Sequence, residues 1–250
     1  MLDTTTRGRT CVWRGAHYHT DMQLPLEVPV MTLENVILFP QAMLPLFIYE
    51  PRYRRMLADS LATHRMFSIA MQKPGRRRES PAPIGGLGLI RASVTNKDGT
   101  SNLILQGLAR VEYTRTVRYR PYRVNCIQPV ATVSRAEVEL HALSARIVEL
   151  VNDRLKLGFE LPFKTLNEPP GLEPNQEDGP VALQAFRQVL QHLTKLEDPE
   201  QLADLVSATL LPGASERQVI LETRDLEERL RQLIRFLMAE IQRRQNTQPE

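Results

Sequence analysis

The sequence predicts an α+β chain, a small β unit followed by an all-helical bundle. Three observations predict it. Short apolar runs of period-2 texture fill residues 24–133, the period changes to 3.6 at Ser134, and helix-start signals recur from there on. At 250 residues the chain has the length of one large domain or two ordinary ones. Apolar residues at 42% and charged residues at 24% are globular values and exclude whole-chain disorder. No apolar run approaches the ~18 residues of a membrane helix. No apolar stretch follows Arg7, Arg9 and Arg14, so no secretory signal is expected. Cys11 and Cys126 lie far apart and make no metal spacing, which fits free thiols and a cytoplasmic location.

Residues 1–23 lack periodicity and read as a flexible N-terminal tail, with Met22 a possible alternative start. Leu26, Val28, Val30 and Leu33 then alternate as in a half-buried strand. Val36 to Phe39 is an apolar run closed by Pro40, and Met43 to Tyr49 is apolar on both faces. Pro51 suits the first position of a helix whose apolar face is Tyr53, Met56, Leu57 and Leu61. Met66 to Met71 is the next strand, and the proline-rich stretch 73–83 with Arg76-Arg77-Arg78 is a solvated loop. Leu87–Val94 and Leu103–Leu108 form a hairpin around Asp98-Gly99. Val111–Tyr119 and Tyr122–Val130 complete six or seven strands. The glycines of Gly85-Gly86-Leu87-Gly88 read as a bulge or a tight approach inside a barrel.

At Ser134 the texture changes. Ser134-Arg135-Ala136-Glu137 is a capping box, Val138, Leu143, Ile147, Leu150, Val151 and Leu155 follow, and Gly158 supplies a stop. Residues 159–180 carry five prolines and read as an insert. A helix from Pro180 presents Phe186, Val189, Leu190 and Leu193. Further starts are signalled at Asp198-Pro199-Glu200-Gln201, Ser215-Glu216-Arg217-Gln218 and Asp225-Leu226-Glu227-Glu228. Leu226, Leu230, Leu233, Leu237 and Ile241 give the last helix a narrow packing seam. The expected organisation is therefore a tail over 1–23, a β domain over 24–133 and a helical bundle over 134–250.

Charge follows the same division. Residues 1–134 hold eighteen Lys and Arg against nine Asp and Glu, a net +9, and the remainder is net −6. No phosphate-binding GxxxxGK[ST] loop, HExxH, CxxC or GxSxG motif occurs. His64, His141 and His192 stand alone, and Glu137/Glu139 and Glu227/Glu228 fit the first turn of a helix. The residues assemble no nucleophile, base and orienting group. No catalytic residue, cofactor or metal is expected, and the chain reads as a binding protein rather than an enzyme.

Several ordered motifs resemble one family. Leu26-Glu27-Val28-Pro29-Val30, Asn35 to Pro40 and Leu44 to Tyr53 resemble the opening of the Lon protease N-terminal substrate-binding domain. Ile84 to Ile90, Asp98-Gly99 and Leu105-Gln106-Gly107-Leu108-Ala109-Arg110 are similar to its later strands. Asp198 to Asp204, Gln218 to Glu222 and Asp225 to Leu230 resemble its helices. The resemblance spans about residues 24–244. It implies a PUA-like mixed β pseudobarrel followed by the helical bundle. It also implies a client or substrate polypeptide as ligand and a protease complex as further partner. The ATPase and Ser-Lys protease parts of Lon find no counterpart in this sequence, so neither activity carries over, and the insert 159–180 departs from the family pattern.

The leading reading is a polypeptide-binding module, with the apolar Met43–Tyr49 run and its neighbours as the contact. Phe47, Tyr49, Arg52 and Tyr53 are the candidate binding residues, and cover of that run by the helix from Pro51 is the competing explanation. The alternative is RNA binding through Arg115, Arg118, Arg120 and Arg123 interleaved with Tyr113, Tyr119 and Tyr122. Ordinary strand alternation accounts better for those arginines, so nucleic acid is disfavoured. No membrane partner is expected. The purified chain is expected neither to hydrolyse ATP nor to cleave casein; proteolysis that follows the protein peak through repurification would overturn this.

Overall fold

The computed structural model describes residues 24–134, 137–156 and 188–247. The strands are β1 (Glu27–Leu33), β2 (Met43–Ile48), β3 (Met66–Met71), β4 (Ile84–Thr95), β5 (Ser101–Arg118) and β6 (Arg123–Pro129), with helix α1 (Pro51–Leu61) between β2 and β3. Helix α2 (Glu137–Lys156), helical residues 188–193, α3 (Pro199–Leu210), α4 (Ala214–Glu222) and α5 (Leu226–Thr247) follow. Among the described residues no strand follows β6.

The six strands form one mixed sheet in the order β2-β5-β4-β3-β1-β6, and β5 pairs again with β6. The β1–β3 pair is parallel and the others are antiparallel. β5 makes closure possible. Its first part, from Ser101 to Gln106, pairs with β2, and its later part, from Val111 to Arg118, pairs with β6. The sequence suggests two strands here, Leu103–Leu108 and Val111–Tyr119, but they are one strand of 18 residues. No turn signal separates them, and bulges against β4 and β6 bend the strand instead. β1 also departs from its expected half-buried pattern, since Val28 to Thr32 are all buried. It lies between β3 and β6 with both faces covered.

The run Val36 to Phe39 is extended and buried without joining the sheet. Its side chains alternate between two cores. Val36 and Leu38 enter the barrel core with Leu46, Met56, Phe67 and Leu105. Ile37 and Phe39 enter a core shared with Leu150, Leu202, Leu230 and Leu233 of the helices. This run explains two glycines. A Cβ on Gly86 would strike the Leu38 carbonyl, and one on Gly107 the Phe39 carbonyl. The expected tight approach inside a barrel is thus found, with the bulge between Leu87 and Gly88 beside it.

The helical seam is largely as expected. Leu226, Leu230, Leu233 and Leu237 are buried, as are Ile147, Leu150 and Val151 on α2. Val138 is exposed instead, because nine residues before Ile147 it falls on the opposite side of the helix, and Leu140 takes the first buried position. Asp198 and Asp225 cap α3 and α5, accepting from Glu200 N and Glu228 N. Ser215 is not a cap: α4 begins one residue earlier, with Gly213 at the N-cap and no side-chain cap bond. The Ser134 box falls partly on residues outside the described ones, and Ser134 Oγ donates to Glu227 at 3.5 Å. The tail 1–23 and the insert 159–180 lie outside the described residues.

A buried charge cluster joins barrel to helices. Arg110 of β5 grips both carboxylate oxygens of Asp204 on α3 and donates from Nε to Leu221 O at 3.1 Å. Arg229 of α5 donates to Thr223 O at 3.0 Å, Glu200 at 3.2 Å and Thr132 Oγ1 at 3.1 Å. Arg110, Asp204 and Arg229 are all buried. Two guanidinium groups face two carboxylates, so the cluster is neutral and hydrogen-bonded, the condition under which buried charge is tolerated. Asp204→Ala leaves both arginines short of a partner and is expected to cost about 3–5 kcal/mol in urea unfolding. The double change Arg110→Met, Asp204→Leu should recover much of it. A single-variant loss below about 1 kcal/mol would show that the joint lies elsewhere.

Candidate functional site

Phase along β2 builds the site. Gly107 N donates to Ala42 O at 2.9 Å, so the even-numbered residues pair with β5 and the odd-numbered ones turn their backbone to the open side. Pro45 is an odd residue, and its missing N–H is needed by no sheet partner. Burial follows the same alternation. Leu44, Leu46 and Ile48 are in the barrel core, while Met43 and Tyr49 are 57% and 54% exposed. Pro45 is exposed and Phe47 half-buried between them. The Phe47 and Tyr49 rings stack with centroids 6.1 Å apart.

The face continues onto the neighbouring strands. Residues directly opposite one another share a face, and Pro45 lies opposite Ile104, itself opposite Ala92. Phe47 lies opposite Asn102, which is opposite Val94, 65% exposed. Met43, Pro45, Phe47, Tyr49 and Ile104 therefore form an apolar surface on β2 and β5, and Val94 of β4 lies on the same face beyond the exposed Asn102. Helix α1 does not cover it. Its buried residues Tyr53, Met56 and Leu57 pack in the same core as Leu44, Leu46 and Ile48, on the opposite face.

The four residues singled out from sequence divide accordingly. Phe47 and Tyr49 lie on the open face. Tyr53 is corrected to a core residue: it is 4% exposed and its hydroxyl donates to Thr32 O at 3.1 Å. Burial pushes that hydroxyl up to about 12. Helical geometry explains the error, because Tyr53 begins the inward stripe shared with Met56 and Leu57. Arg52 lies over the Tyr53 ring at 4.3 Å and bridges Glu50 at 2.8 Å and Glu79 at 2.9 Å. Glu79 also accepts from Thr32 Oγ1 and from Arg123 Nε, both at 3.0 Å. Arg52 thus helps pin the loop 73–83. Sequence reading missed Ile104 and Val94, whose place on the face depends on register with β2 and β5.

The arginine-tyrosine cluster is mostly engaged within the chain. Arg123 is buried on Glu79 and lies over Tyr119 at 4.8 Å. Arg118 donates to Tyr122 Oη at 2.7 Å, and Tyr122 in turn donates to Asp59 at 2.7 Å. Tyr113 is half-buried, its hydroxyl within 2.6 Å of Ser68 Oγ. Among the described residues no group of three His, Cys, Asp or Glu is placed to hold a metal. No helix among them is long and apolar enough to cross a membrane.

Residues 27–239 match the family model of the ATP-dependent protease La (LON) substrate-binding domain. The chain belongs to this family. The Lon protease of Desulfosudis oleivorans is 24% identical over 223 residues, covering 87% of this chain and 24% of that protein. The Lon protease of Roseiflexus castenholzii is 26% identical over 231 residues, with 87% and 24% covered. The chain thus spans about a quarter of the length of the curated relatives it matches. Its fold is that of the N-terminal domain of the Mycobacterium avium complex Lon protease, with a TM-score of 0.63, 19% identity, and 85% of this chain and 98% of that one covered. A Lon N-terminal domain protein from Xanthomonas campestris aligns with a TM-score of 0.52 and 20% identity over 84% of this chain and 98% of that one.

Replacing Tyr49 by Ser is expected to leave the melting temperature within about 2 °C, whereas Tyr53→Ser should lower it by roughly 10 °C through a core cavity. Equal effects in a thermal melt would show that the two tyrosines do not lie on opposite faces.

Proposed function

We propose that this chain binds non-native polypeptide, without catalysing its cleavage, through the outer face of β2 and its neighbours. Met43, Pro45, Phe47 and Tyr49, with Ile104 and Val94, supply the contact surface. The observation that carries the reading is the apolar face itself. Its strand is anchored by a buried opposite face, yet the residues pointing outward are methionine, proline and two aromatics rather than the polar ones a solvated sheet carries. Such a surface is preorganised, so little ordering of the protein opposes binding. Phe47 and Tyr49 are the anchors, since aromatic rings offer large contact area at small entropic cost.

The family's substrate-binding character supports a polypeptide as the ligand, and a protease is the partner to which bound client would pass. Arg52 acts as a positioning residue. By bridging Glu50 and Glu79 it holds the start of α1, which follows β2, against the loop 73–83.

The test is binding to a reduced, unfolded client protein. Phe47→Ser with Tyr49→Ser is expected to weaken binding by roughly 30-fold or more while the thermal melt stays within a few degrees, the loss of an aromatic anchor costing about 2 kcal/mol. Undiminished binding in the double variant would place the site elsewhere.

A further inference from the structure

We infer that the apolar face selects client segments whose apolar run is flanked at both ends by carboxylates. This inference rests on the polypeptide-binding reading above and deepens it. Its basis is a pair of arginines, one at each end of the exposed β2 row.

Arg91 stands at the Met43 end. It lies at the bulge between Ile90 and Ala92, and its Nε donates to Gln106 Oε1. Gln106 is the residue directly opposite Met43. Arg54 stands at the Tyr49 end. Its guanidinium lies against Gly99 in the β4–β5 turn, so closely that a Cβ at Gly99 would collide with it. That turn leads into Ser101, the partner of Ile48. Both arginines are exposed, and neither forms an ion pair with a carboxylate among the described residues. Lys97, exposed in the same turn, adds a third cation.

The neighbouring carboxylates are already engaged. Glu50 is held by Arg52. Glu79 is held by Arg52 and Arg123. Asp98 accepts from Thr100 N at 2.9 Å and Thr100 Oγ1 at 2.7 Å, and these bonds, with a smaller contribution from the Arg54 charge, hold its carboxyl below the usual range, so it offsets one of the three cations. The rim of the face therefore carries surplus positive charge. A six-residue strand is ~20 Å long, and an extended peptide laid along it has the same rise. A client with an apolar run of about five residues can thus seat its side chains on the row and place a carboxylate near each arginine. Charges at the rim of an apolar interface discriminate between partners and speed encounter, and a like-charged flank is repelled.

The test uses three fluorescein-labelled peptides with one shared five-residue apolar core. They are flanked on both sides by Glu-Glu, by Ser-Ser or by Lys-Lys. At low salt the Glu-flanked peptide should bind roughly tenfold more tightly than the Lys-flanked one, with the Ser-flanked peptide between them. The ratio should shrink toward one near 1 M salt, where the screening length is ~3 Å. In an Arg54→Gln, Arg91→Gln double variant with an unchanged melting temperature, the ratio should fall close to one while Ser-flanked binding is retained. Equal binding of Glu- and Lys-flanked peptides to the intact chain would overturn the inference. So would a ratio that survives in the double variant. In either case, retained binding of the Ser-flanked peptide would leave the polypeptide reading standing. If none of the three peptides binds, the polypeptide reading falls and this inference with it.

Discussion

The grip of Arg110 on Asp204, backed by Arg229 and Glu200, is the constraint on which the rest of this fold depends. Arg110 sits on β5 in the short stretch between its pairing with β2 and its pairing with β6. Asp204 and Glu200 come from α3, Arg229 from α5, and the accepting carbonyls of Leu221 and Thr223 from the end of α4. A single neutral cluster therefore ties the barrel to three helices. Buried charge is costly unless every group is satisfied, so this arrangement admits few alternatives.

Around that cluster the apolar cores are continuous across the join. Ile37, Phe39, Met71, Ala82 and Ile84 share one core with the helices, while Val36 and Leu38 belong to the barrel. The four-residue run Val36 to Phe39 thus stitches two cores together, and Gly86 and Gly107 are the clearances that let its backbone pass. Gln218 adds a bond from α4 to Ile84 O at 2.9 Å, and Arg224 pairs with Glu112 at 2.7 Å. Helices and barrel share one packed interior, so the helices act as a buttress on the side of β5 that does not carry the apolar face.

That buttress has a functional consequence. Among the described residues β2 is hydrogen-bonded to β5 alone, and an edge strand held on one side would ordinarily be soft. Here β5 is held by β4 along most of its length and by the Arg110 cluster near its middle. The exposed row on β2 is therefore presented by a supported scaffold. An exposed apolar edge is an aggregation hazard, and Pro45 removes one backbone donor from the middle of it.

The strings that carry the family likeness include the residues of the joint: Arg110 closes one, Glu200 and Asp204 lie in another, and Arg229 in a third. Sequence alone determined the α+β class, the period change near Ser134, the Asp198 and Asp225 caps, the seam of α5 and the Asp98-Gly99 turn. Each of these is local, set by side-chain spacing or backbone preference within a few residues. The apolar Met43–Tyr49 run was legible too, but not which of its faces is open. Only the tertiary structure decided that, because the answer depends on where α1 packs. The same holds for Tyr53, which the sequence puts both on the apolar face of its helix and among the contact residues and which the packing of α1 places in the core, and for Ile104 and Val94, which register brings onto the face of Pro45 and Phe47. It holds for Arg110 and Asp204, 94 residues apart in the chain. Charge pairing at that separation leaves no periodic trace in a sequence, since it is fixed by the docking of whole elements rather than by the propensity of any one of them.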